Sequence, residues 1–518
     1  MLENPTINKE NVKIKRALVS VFDKTGLVEL GHSLEGLGIE ILSTGGSAKT
    51  LRDSGVSVTD VSDYTKFPEI MDGRVKTINP LVEGGILGLR DKHNKDAEDN
   101  NIKWIDLVVC NLYPFSETIN KDDCDLAMAL ENVDIGGPTM IRSAAKNVGW
   151  VTVVVDPSDY PALAKDLSND NSIRYETREM FSAKAFGHTA QYDVIIHNYM
   201  KGTPLSDEFS LTYEKHSEMR YGENPHQAAA AYKISGDSSN SVLNAKIHQG
   251  KKLSYNNIMD ADAAFSCLKE FEETACVIVK HANPCGVSKG ENMLEVYKQA
   301  FNADSLSAFG GVIAMNKQCD ELVAEEISKV FVEIVLAPSF TKEALEIFST
   351  KKNLRVLEVG NIKPREKLLE VRNVVGGIIV QETDTSVIQK QDLKTVTTTS
   401  PTDLEVETML FGWKVLKHIK SNGILIVKNN TTVGVGAGQV SRVDSVDIAM
   451  KKSGENLQGS ILCCDAFFPF TDGLDAAIGA GCSAVIQPGG SIRDQEVIEA
   501  ANEAGLAMVF TGERHFKH

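Results

Sequence analysis

Residues 39–55 read IEILSTGGSAKTLRDSG: an apolar, β-favouring run passes through a glycine pair into a helical stretch. That order, strand then tight turn then helix, is one βα unit. Other β-rich runs lie on either side of it, namely ALVSV (17–21), VSVTDV (56–61), GGILGL (84–89), IDLVVCNLYPF (105–115) and VTVVV (151–155), with helical segments such as GPTMIRSAAKN between them. Such alternation predicts a parallel sheet with helices on both faces, and sheets of that kind bind ligands at the carboxyl ends of their strands.

Further along, residues 161–200 carry aromatic and aliphatic residues at helical spacing, and KGTPLSDEFSLTYEKHSEM (201–219) has the turn-rich, polar composition of a linker. The expected organisation is a first domain over 1–155, a helical connector and linker over 156–212 with its break near residue 205, and a second domain over 213–518. The second domain is again α/β, with hairpin-like strands such as ILIVKNNTTVGV (424–435), and long enough for two subdomains, although no fixed-period repeat is visible.

A chain of 518 residues exceeds one ordinary core, and its 42% hydrophobic and 24% charged content is that of a globular protein. Fifty-four basic against seventy-one acidic residues give a net charge of -17, which disfavours nucleic acid and anionic membrane surfaces unless a local basic pocket overrides it. An anionic ligand must therefore be met by placed cations or backbone N–H groups. Nine cysteines without CxxC spacing suit free thiols in a reducing cytosol. The opening MLENPTINKENVKIKR has no apolar signal-like core, and no apolar run approaches the roughly 18 residues of a membrane span. A soluble, cytoplasmic protein is expected.

Gly-Gly turns recur in ILSTGGSAKT (41–50), DIGGPTM (134–140) and VIQPGGSIRD (485–494), each read as following a strand and opening a helix. One such pair makes only a tight turn; three of them point toward a phosphorylated ligand held by backbone N–H groups. GVGAGQ (434–439) lacks the GxGxxG spacing and follows a hairpin, so it is not a dinucleotide fingerprint. Arg74 and Lys76 follow a turn in GRVKT, Lys146 ends the helical SAAKN, and Tyr113 stands at the carboxyl end of IDLVVC. RYGENPHQ (220–227) sets Arg220, Tyr221 and His226 in a loop suited to ligand contact, while the aromatic cluster of DAFFPFTDG (465–473) fits stacking or core equally well.

KHANPCG (280–286) has three readings. Zinc deaminases pair H-x-E with P-C-x-x-C, and here neither a glutamate nor a second cysteine stands at the right interval, so a zinc site fails on spacing. A nucleophilic cysteine needs a nearby base, and nothing local activates Cys285. Lys280 and His281 remain, an imidazole able to act as base beside a cation able to hold an anion.

Taken in order, SVFDKTG, STGGSAK, GRVKT, NLYPF, DIGGPTMIRSAAKN, RYGENPHQ, LSYNN, KHANPCG, SAFGG, VGVGAGQ, DAFFPF and QPGGS resemble the bifunctional purine-biosynthesis family that joins AICAR transformylase to IMP cyclohydrolase, over about residues 17–518. The resemblance implies an α/β fold: an N-terminal methylglyoxal-synthase-like parallel-sheet domain and a C-terminal domain of two cytidine-deaminase-like subdomains lacking zinc. It implies formyl transfer from 10-formyltetrahydrofolate, as cosubstrate, to AICAR, then closure of FAICAR to IMP with loss of water. It also implies a homodimer with transformylase sites at the subunit interface, small-molecule rather than nucleic-acid or membrane partners, no metal, and room for a monovalent cation.

Carried over by motif, Lys280 and His281 are the transformylase pair, Asn429 orients the carboxamide or formyl group, Arg220 and Tyr221 hold the ribose phosphate, and Phe309 contacts the ligand. Lys76, Tyr113, Asp134 and Lys146 fall on the cyclohydrolase motifs. N–H groups around Ser43, Gly45, Gly46 and Ser47 would cradle phosphate, helped by Ser20, Lys24, Arg74 and Thr77. The chain departs from the family pattern at Asn79 and Glu83, where many relatives have histidines. A transformylase with an inert first domain, or a non-catalytic nucleotide-binding scaffold, are the competing expectations.

Overall fold

The computed structural model describes residues 6–234, 237 and 239–518, and the chain divides into two compact units after Thr212. In the first unit five parallel strands, β1 (Arg16–Ser20), β2 (Glu40–Ser43), β3 (Thr59–Asp60), β4 (Leu107–Cys110) and β5 (Thr152–Val154), lie in the order β3-β2-β1-β4-β5. The strands are short and apolar on both faces. Ala17 and Val19 enter a core with α1 (Leu27–Gly36) and α2 (Gly45–Asp53), whereas Leu18 between them enters the opposite core with α3 (Pro80–Leu87) and α4 (Gly136–Lys146). The order turns back at β1, so the carboxyl ends of β1 and β4 form a topological switch point, where α/β sheets hold ligands.

Four readings of the sequence are corrected in detail. GGILGL, read as a strand, lies mostly in α3: the Asn79 side chain accepts from the Leu81 N–H at 2.9 Å and Pro80 occupies the first turn, two helix-start signals stronger than the short apolar run. The expected helix over 161–200 is interrupted after Leu167: Asp170 and Asn171 take positive φ, and Ser172–Ile173 pairs with Val12–Lys13 before the long α5 (Tyr175–Met200) begins. DIGGPTM follows a helix over Leu126–Glu131 and not a strand, and after QPGGS the next helix opens only at Asp494. The supposed linker ends in a strand, β6 (Tyr213–Glu218), paired with β7 (Ala230–Ile234).

The second unit is built on a twelve-stranded sheet. Its first half runs β8 (Lys246–Gln249), α6 (Tyr255–Leu268), the hairpin β9 (Thr274–Lys280) and β10 (Asn283–Gly290), α7 (Met293–Ala303), β11 (Val312–Met315), α8 (Glu321–Ser328), β12 (Ile334–Ala337), α9 (Lys342–Ser349) and β13 (Arg355–Glu358). A separate hairpin, β14 (Leu369–Val374) with β15 (Gly377–Glu382), intervenes. The second half runs β16 (Lys394–Thr395), α10 (Asp403–Leu416), the hairpin β17 (Ile424–Lys428) and β18 (Thr431–Gly436), α11 (Arg442–Ser453), β19 (Ile461–Cys464), α12 (Asp472–Gly479), β20 (Ala484–Gln487), α13 (Asp494–Glu503) and β21 (Ala507–Phe510).

Across the sheet the order is β8-β13-β12-β11-β9-β10-β18-β17-β19-β20-β21-β16. Each half has the same topology, a helix, a hairpin and three parallel strands closed by an antiparallel edge strand, and the halves meet where β10 runs antiparallel to β18. Helices α6 and α10 bury their apolar faces in one core continuous across that junction. The repeat is structural, and the two halves share few side chains.

Candidate functional site

At the switch point of the first unit, Gly45 takes φ 49°, which lets the turn after β2 bend without strain. A Cβ placed on Gly45 would stand 3.6 Å from Lys76 Nζ, and one on Gly46 would stand 3.7 Å from Lys24 Nζ. Two ammonium groups thus flank a bare backbone turn at the start of α2, an arrangement suited to an anion. Ser43 and Ser47 are buried with their hydroxyls already used, Ser43 donating to Val19 O at 2.6 Å and Ser47 bonding Val21 through both N–H and carbonyl at 2.9 Å. Only their backbone N–H groups remain for a ligand.

Across the crevice, Tyr113 is half exposed against Phe22, ring centroids 5.3 Å apart, and the Asn111 side chain bonds the backbone of Phe22 and Asp23 to fix that loop at the end of β1. Ser20 ends β1 beside Cys110 of β4. Asp134 accepts from the Gly137 N–H at 2.8 Å. Burial pushes its carboxyl above the ordinary value, while the N–H groups of Gly137, Tyr113 and Gly136 and the Lys76 ammonium pull the other way. Thr77 is buried beside Gly136, where a Cβ would meet its Oγ1 at 2.9 Å. Lys24, Lys76, Thr77, Tyr113 and Asp134 therefore share one crevice. Arg74 is engaged in an exposed ion pair with Glu131. Lys146 closes α4 ten residues beyond its first residue, Gly136, so it is about 15 Å along the axis from Asp134's end and outside the cluster.

In the second unit, His281 (φ 53°) and Ala282 (φ 57°) form a left-handed two-residue turn joining β9 to β10. Lys280 Nζ donates to Phe309 O at 2.7 Å, and the Ala282 N–H donates to Asp260 Oδ1 of α6 at 2.7 Å. The first turn of α6, secured by the Ser254–Asn257 capping box, also ties the loop of Arg220 and Tyr221, because Asn256 donates to Glu223 O at 3.4 Å. Lys280, His281, Phe309 and the Arg220 loop are thereby gathered around one helix end. Cys285 is buried, its thiol donating to Ile278 O at 3.5 Å, and burial pushes its pKa up to about 12; it is a packing residue.

Sequence reasoning missed a cavity of about 390 Å³ at the same end of the sheet. It is lined by Arg365, Arg372, Lys417, Arg514 and Lys517 with Glu370 and Asp384, a basic hollow in an acidic protein. Beneath it, buried Glu270 accepts from Lys417 at 2.8 Å and meets His418 at 3.1 Å, where burial pushes the imidazole down to about 4. The cavity adjoins the hairpin: Ser421 N donates to Lys517 O at 2.8 Å, and neighbouring Lys420 N donates to Asn283 Oδ1 at 3.2 Å. Its cations are spread over residues 365–517, so no local motif announces them.

Asn429 does not join this group within one chain. It sits in the β17–β18 turn, and Ser288 pairs with Thr431 beside that turn, so the strand from Asn283 to Ser288 and beyond separates it from His281. At about 3.3 Å per residue the two turns are about 20 Å apart. Among the described residues, no three His, Cys, Asp or Glu side chains gather as a metal site, and no helix is long and apolar enough to cross a membrane.

A doubly covered parallel sheet with an anion cradle at its switch point, followed by a duplicated α/β unit with a lysine–histidine turn beside a basic cavity, marks a two-site enzyme for small anionic substrates. The family model described as MGS-like domain matches residues 26–139, and the model described as AICARFT/IMPCHase bienzyme matches residues 144–452. A protein of Acetivibrio thermocellus, named bifunctional purine biosynthesis protein PurH, is 50% identical over 513 residues, covering 98% of this chain and 100% of that one. The crystal structure of ForH is 33% identical, covering 97% of its own chain and 35% of this one, at a TM-score of 0.33. The chain belongs to the AICARFT/IMPCHase bienzyme family. It is a bifunctional enzyme of the last two steps of IMP synthesis, AICAR transformylase and IMP cyclohydrolase.

Proposed function

We propose that formyl transfer is carried by the Lys280–His281 turn and cyclisation by the crevice of Lys76, Tyr113 and Asp134. The observation that supports the first most directly is the 2.7 Å bond from Lys280 to Phe309 O, which fixes an ammonium-bearing side chain next to an exposed histidine on a hairpin tied toward the basic cavity by the Lys420–Asn283 and Ser421–Lys517 bonds. The AICAR amine is delocalised into its ring and is a poor nucleophile. As its nitrogen attacks the formyl carbon of 10-formyltetrahydrofolate, His281 takes the N–H proton. Lys280 stabilises the oxyanion, the bond from carbon to the folate N10 breaks, and N10 receives a proton as tetrahydrofolate leaves. The Arg220–Tyr221 loop and the basic cavity supply the positive charge that phosphate and folate carboxylates need. In the first unit the phosphate of FAICAR lies on the Gly45–Gly46 turn between Lys24 and Lys76, with Ser20, Arg74 and Thr77 at its margin. Tyr113 and Lys76 face the formyl oxygen while the carboxamide nitrogen closes the ring and water departs.

In this reading the two halves of the second unit are cytidine-deaminase-like subdomains working without zinc, in a cytoplasmic enzyme of AICAR and FAICAR that binds neither nucleic acid nor membrane. The domains follow as 1–155 for cyclisation, 156–212 as connector and 213–518 for transfer. A homodimer completes both sites, because Asn429 and Lys146 each lie too far from their partners within one chain. A monovalent cation is an accessory, tested by comparing rates in potassium and tetramethylammonium buffers. The central experiment feeds purified protein AICAR with 10-formyltetrahydrofolate, or FAICAR alone. Lys280→Met is expected to stop release of tetrahydrofolate and spare IMP formation from FAICAR; Lys76→Met is expected to do the reverse. Loss of both activities from either single substitution would sink the assignment of independent sites.

A further inference from the structure

The bodies of the two hairpins in the second unit are fixed by the helices that follow them. A Cβ on Gly286 would meet Ala300 O at 1.9 Å, and one on Gly434 would meet Ala449 O at 2.1 Å, so each glycine lets the next helix lie directly on its hairpin. The turns at the hairpin ends pose a separate demand. Both pass through two left-handed residues, Asn429 (φ 48°) and Asn430 (φ 60°) in one, His281 (φ 53°) and Ala282 (φ 57°) in the other. Asparagine accepts that backbone at low cost. Alanine does not, and its methyl group makes no bond that could stabilise it.

Ala282 is therefore the residue of the His281 turn most in need of an outside hold, and it has one. Its N–H, between the paired residues Lys280 and Asn283, donates to Asp260 Oδ1 at 2.7 Å. A carboxylate accepting from a backbone N–H makes one of the stronger hydrogen bonds, and this carboxylate stands on a fixed element. Asp260 lies in α6, whose start is secured by the Ser254–Asn257 capping box and whose Ala261, Ala264, Phe265 and Leu268 are buried in the core. The other bonds around the turn differ in kind. Asn283 Nδ2 donates to His281 O at 3.0 Å from within the hairpin itself, and Lys280, whose ammonium donates to Phe309 O at 2.7 Å, has a part of its own in the transfer as read above.

Resting on the reading that His281 is the base of formyl transfer, we propose that Asp260 is a positioning residue for that reaction: it clamps the turn through Ala282 and so sets the direction in which the adjoining imidazole leaves the backbone. Its action is through the backbone and not on the substrate. Without the bond, Ala282 relaxes toward right-handed or extended backbone, and the exposed His281 moves with it. A displacement of about 1 Å at such a group is enough to cost one or two powers of ten in rate.

The test uses full-length Asp260→Ala, Asp260→Asn, His281→Ala and the double variant Asp260→Ala/His281→Ala, each assayed for formyl transfer and for cyclisation of supplied FAICAR, with thermal unfolding measured alongside. Asp260→Ala is expected to lower kcat for transfer at least about tenfold with KM for AICAR within about twofold and cyclisation unchanged. Asp260→Asn, whose amide oxygen can still accept from the Ala282 N–H, is expected to recover most of the rate. The double variant is expected to be no slower than His281→Ala alone, because a group that acts through the imidazole has nothing left to position. A double variant slower than His281→Ala by the full factor of Asp260→Ala overturns the proposal, as does an Asp260→Asn enzyme as slow as Asp260→Ala. Wild-type kcat in Asp260→Ala beside an impaired His281→Ala overturns it and leaves the role of His281 standing, whereas wild-type kcat in His281→Ala overturns both. Should Asp260→Ala fail to fold, Asp260→Ser, too short to reach the Ala282 N–H, takes its place in the single and the double variant.

Discussion

Three residues within KHANPCG have reactive side chains, and their surroundings separate them. Cys285 lies behind the turn, buried, with its thiol donating to Ile278 O and its pKa pushed up to about 12 by burial, the surroundings of a packing residue. His281 is exposed on a strained two-residue turn, and Lys280 is half-buried with its ammonium fixed on Phe309 O. The placement of the pair was legible in the sequence, since the apolar run TACVIV leads into Lys280 and puts the lysine and histidine at a strand end. The partners were not legible: Asp260, which holds the turn through the Ala282 N–H, and Arg365 and Arg514, which line the cavity, are remote in sequence and alone read as surface charges. His281→Ala is expected to lower formyl transfer by about two powers of ten, the usual range for lost proton transfer, while IMP formation from supplied FAICAR is unchanged. A stopped-flow or coupled assay of each half-reaction checks this, and equal losses in both would contradict it.

Among the elements, the Asn-rich hairpin at 424–435 was legible because Asn429 and Asn430 accept left-handed backbone at low cost. Helix α3 was not, because its short apolar run GGILGL read as a strand; its glycines serve to bring the helix close, with a Cβ on Gly85 only 2.6 Å from Lys103 O. The duplication left no fixed-period repeat in the sequence for a related reason: the halves keep their turns and contact glycines and vary nearly everything that packs around them. Gly286→Ala is accordingly expected to cost about 3 kcal/mol, since Ala300 O is backbone and cannot retreat, and a urea denaturation midpoint measures it. Asn79 and Glu83, standing where many relatives have histidines, take structural posts in α3. Asn79 caps it, and Glu83 Oε2 accepts from Ser143 of α4 at 2.7 Å with its carboxyl pushed above the ordinary value by burial. A raised carboxyl pKa contributes stability that is full below the unfolded value and lost as pH rises through the folded one. Glu83→Gln keeps an acceptor for Ser143 without the charge, so its melting temperature is expected to exceed wild type by a few degrees at pH 8 and to match it near pH 4.

At the scale of the molecule, a chain of net charge -17 gathers cations in two places, the Gly45–Gly46 turn flanked by Lys24 and Lys76 and the hollow lined by Arg365, Arg372, Lys417, Arg514 and Lys517, and these are where a small anion would meet opposite charge. The duplicated sheet sets a second constraint. Because β10 and β18 run antiparallel, the His281 and Asn429 turns emerge at opposite ends of the junction, and no rearrangement short of breaking the sheet brings them together. On the proposed reading, in which a homodimer completes the site, a two-fold arrangement of copies would bring each His281 end to the Asn429 end of its partner. That geometry has a consequence in mixed assemblies. A His281→Ala chain retains Asn429, and an Asn429→Ala chain retains His281, so a heterodimer of the two rebuilds one intact site and concentrates both lesions in the other. Each variant alone is expected to be nearly inactive in formyl transfer. After the two are mixed, partly denatured and refolded together, random pairing is expected to restore about a quarter of wild-type activity. Dilution below the dissociation constant should then abolish transfer in the wild type and the mixture alike. A mixture no more active than its components would place His281 and Asn429 in the same chain's site or remove Asn429 from the reaction, and affinity capture through a tag carried by one variant, showing whether the untagged variant is retained with it, separates those outcomes from failed exchange.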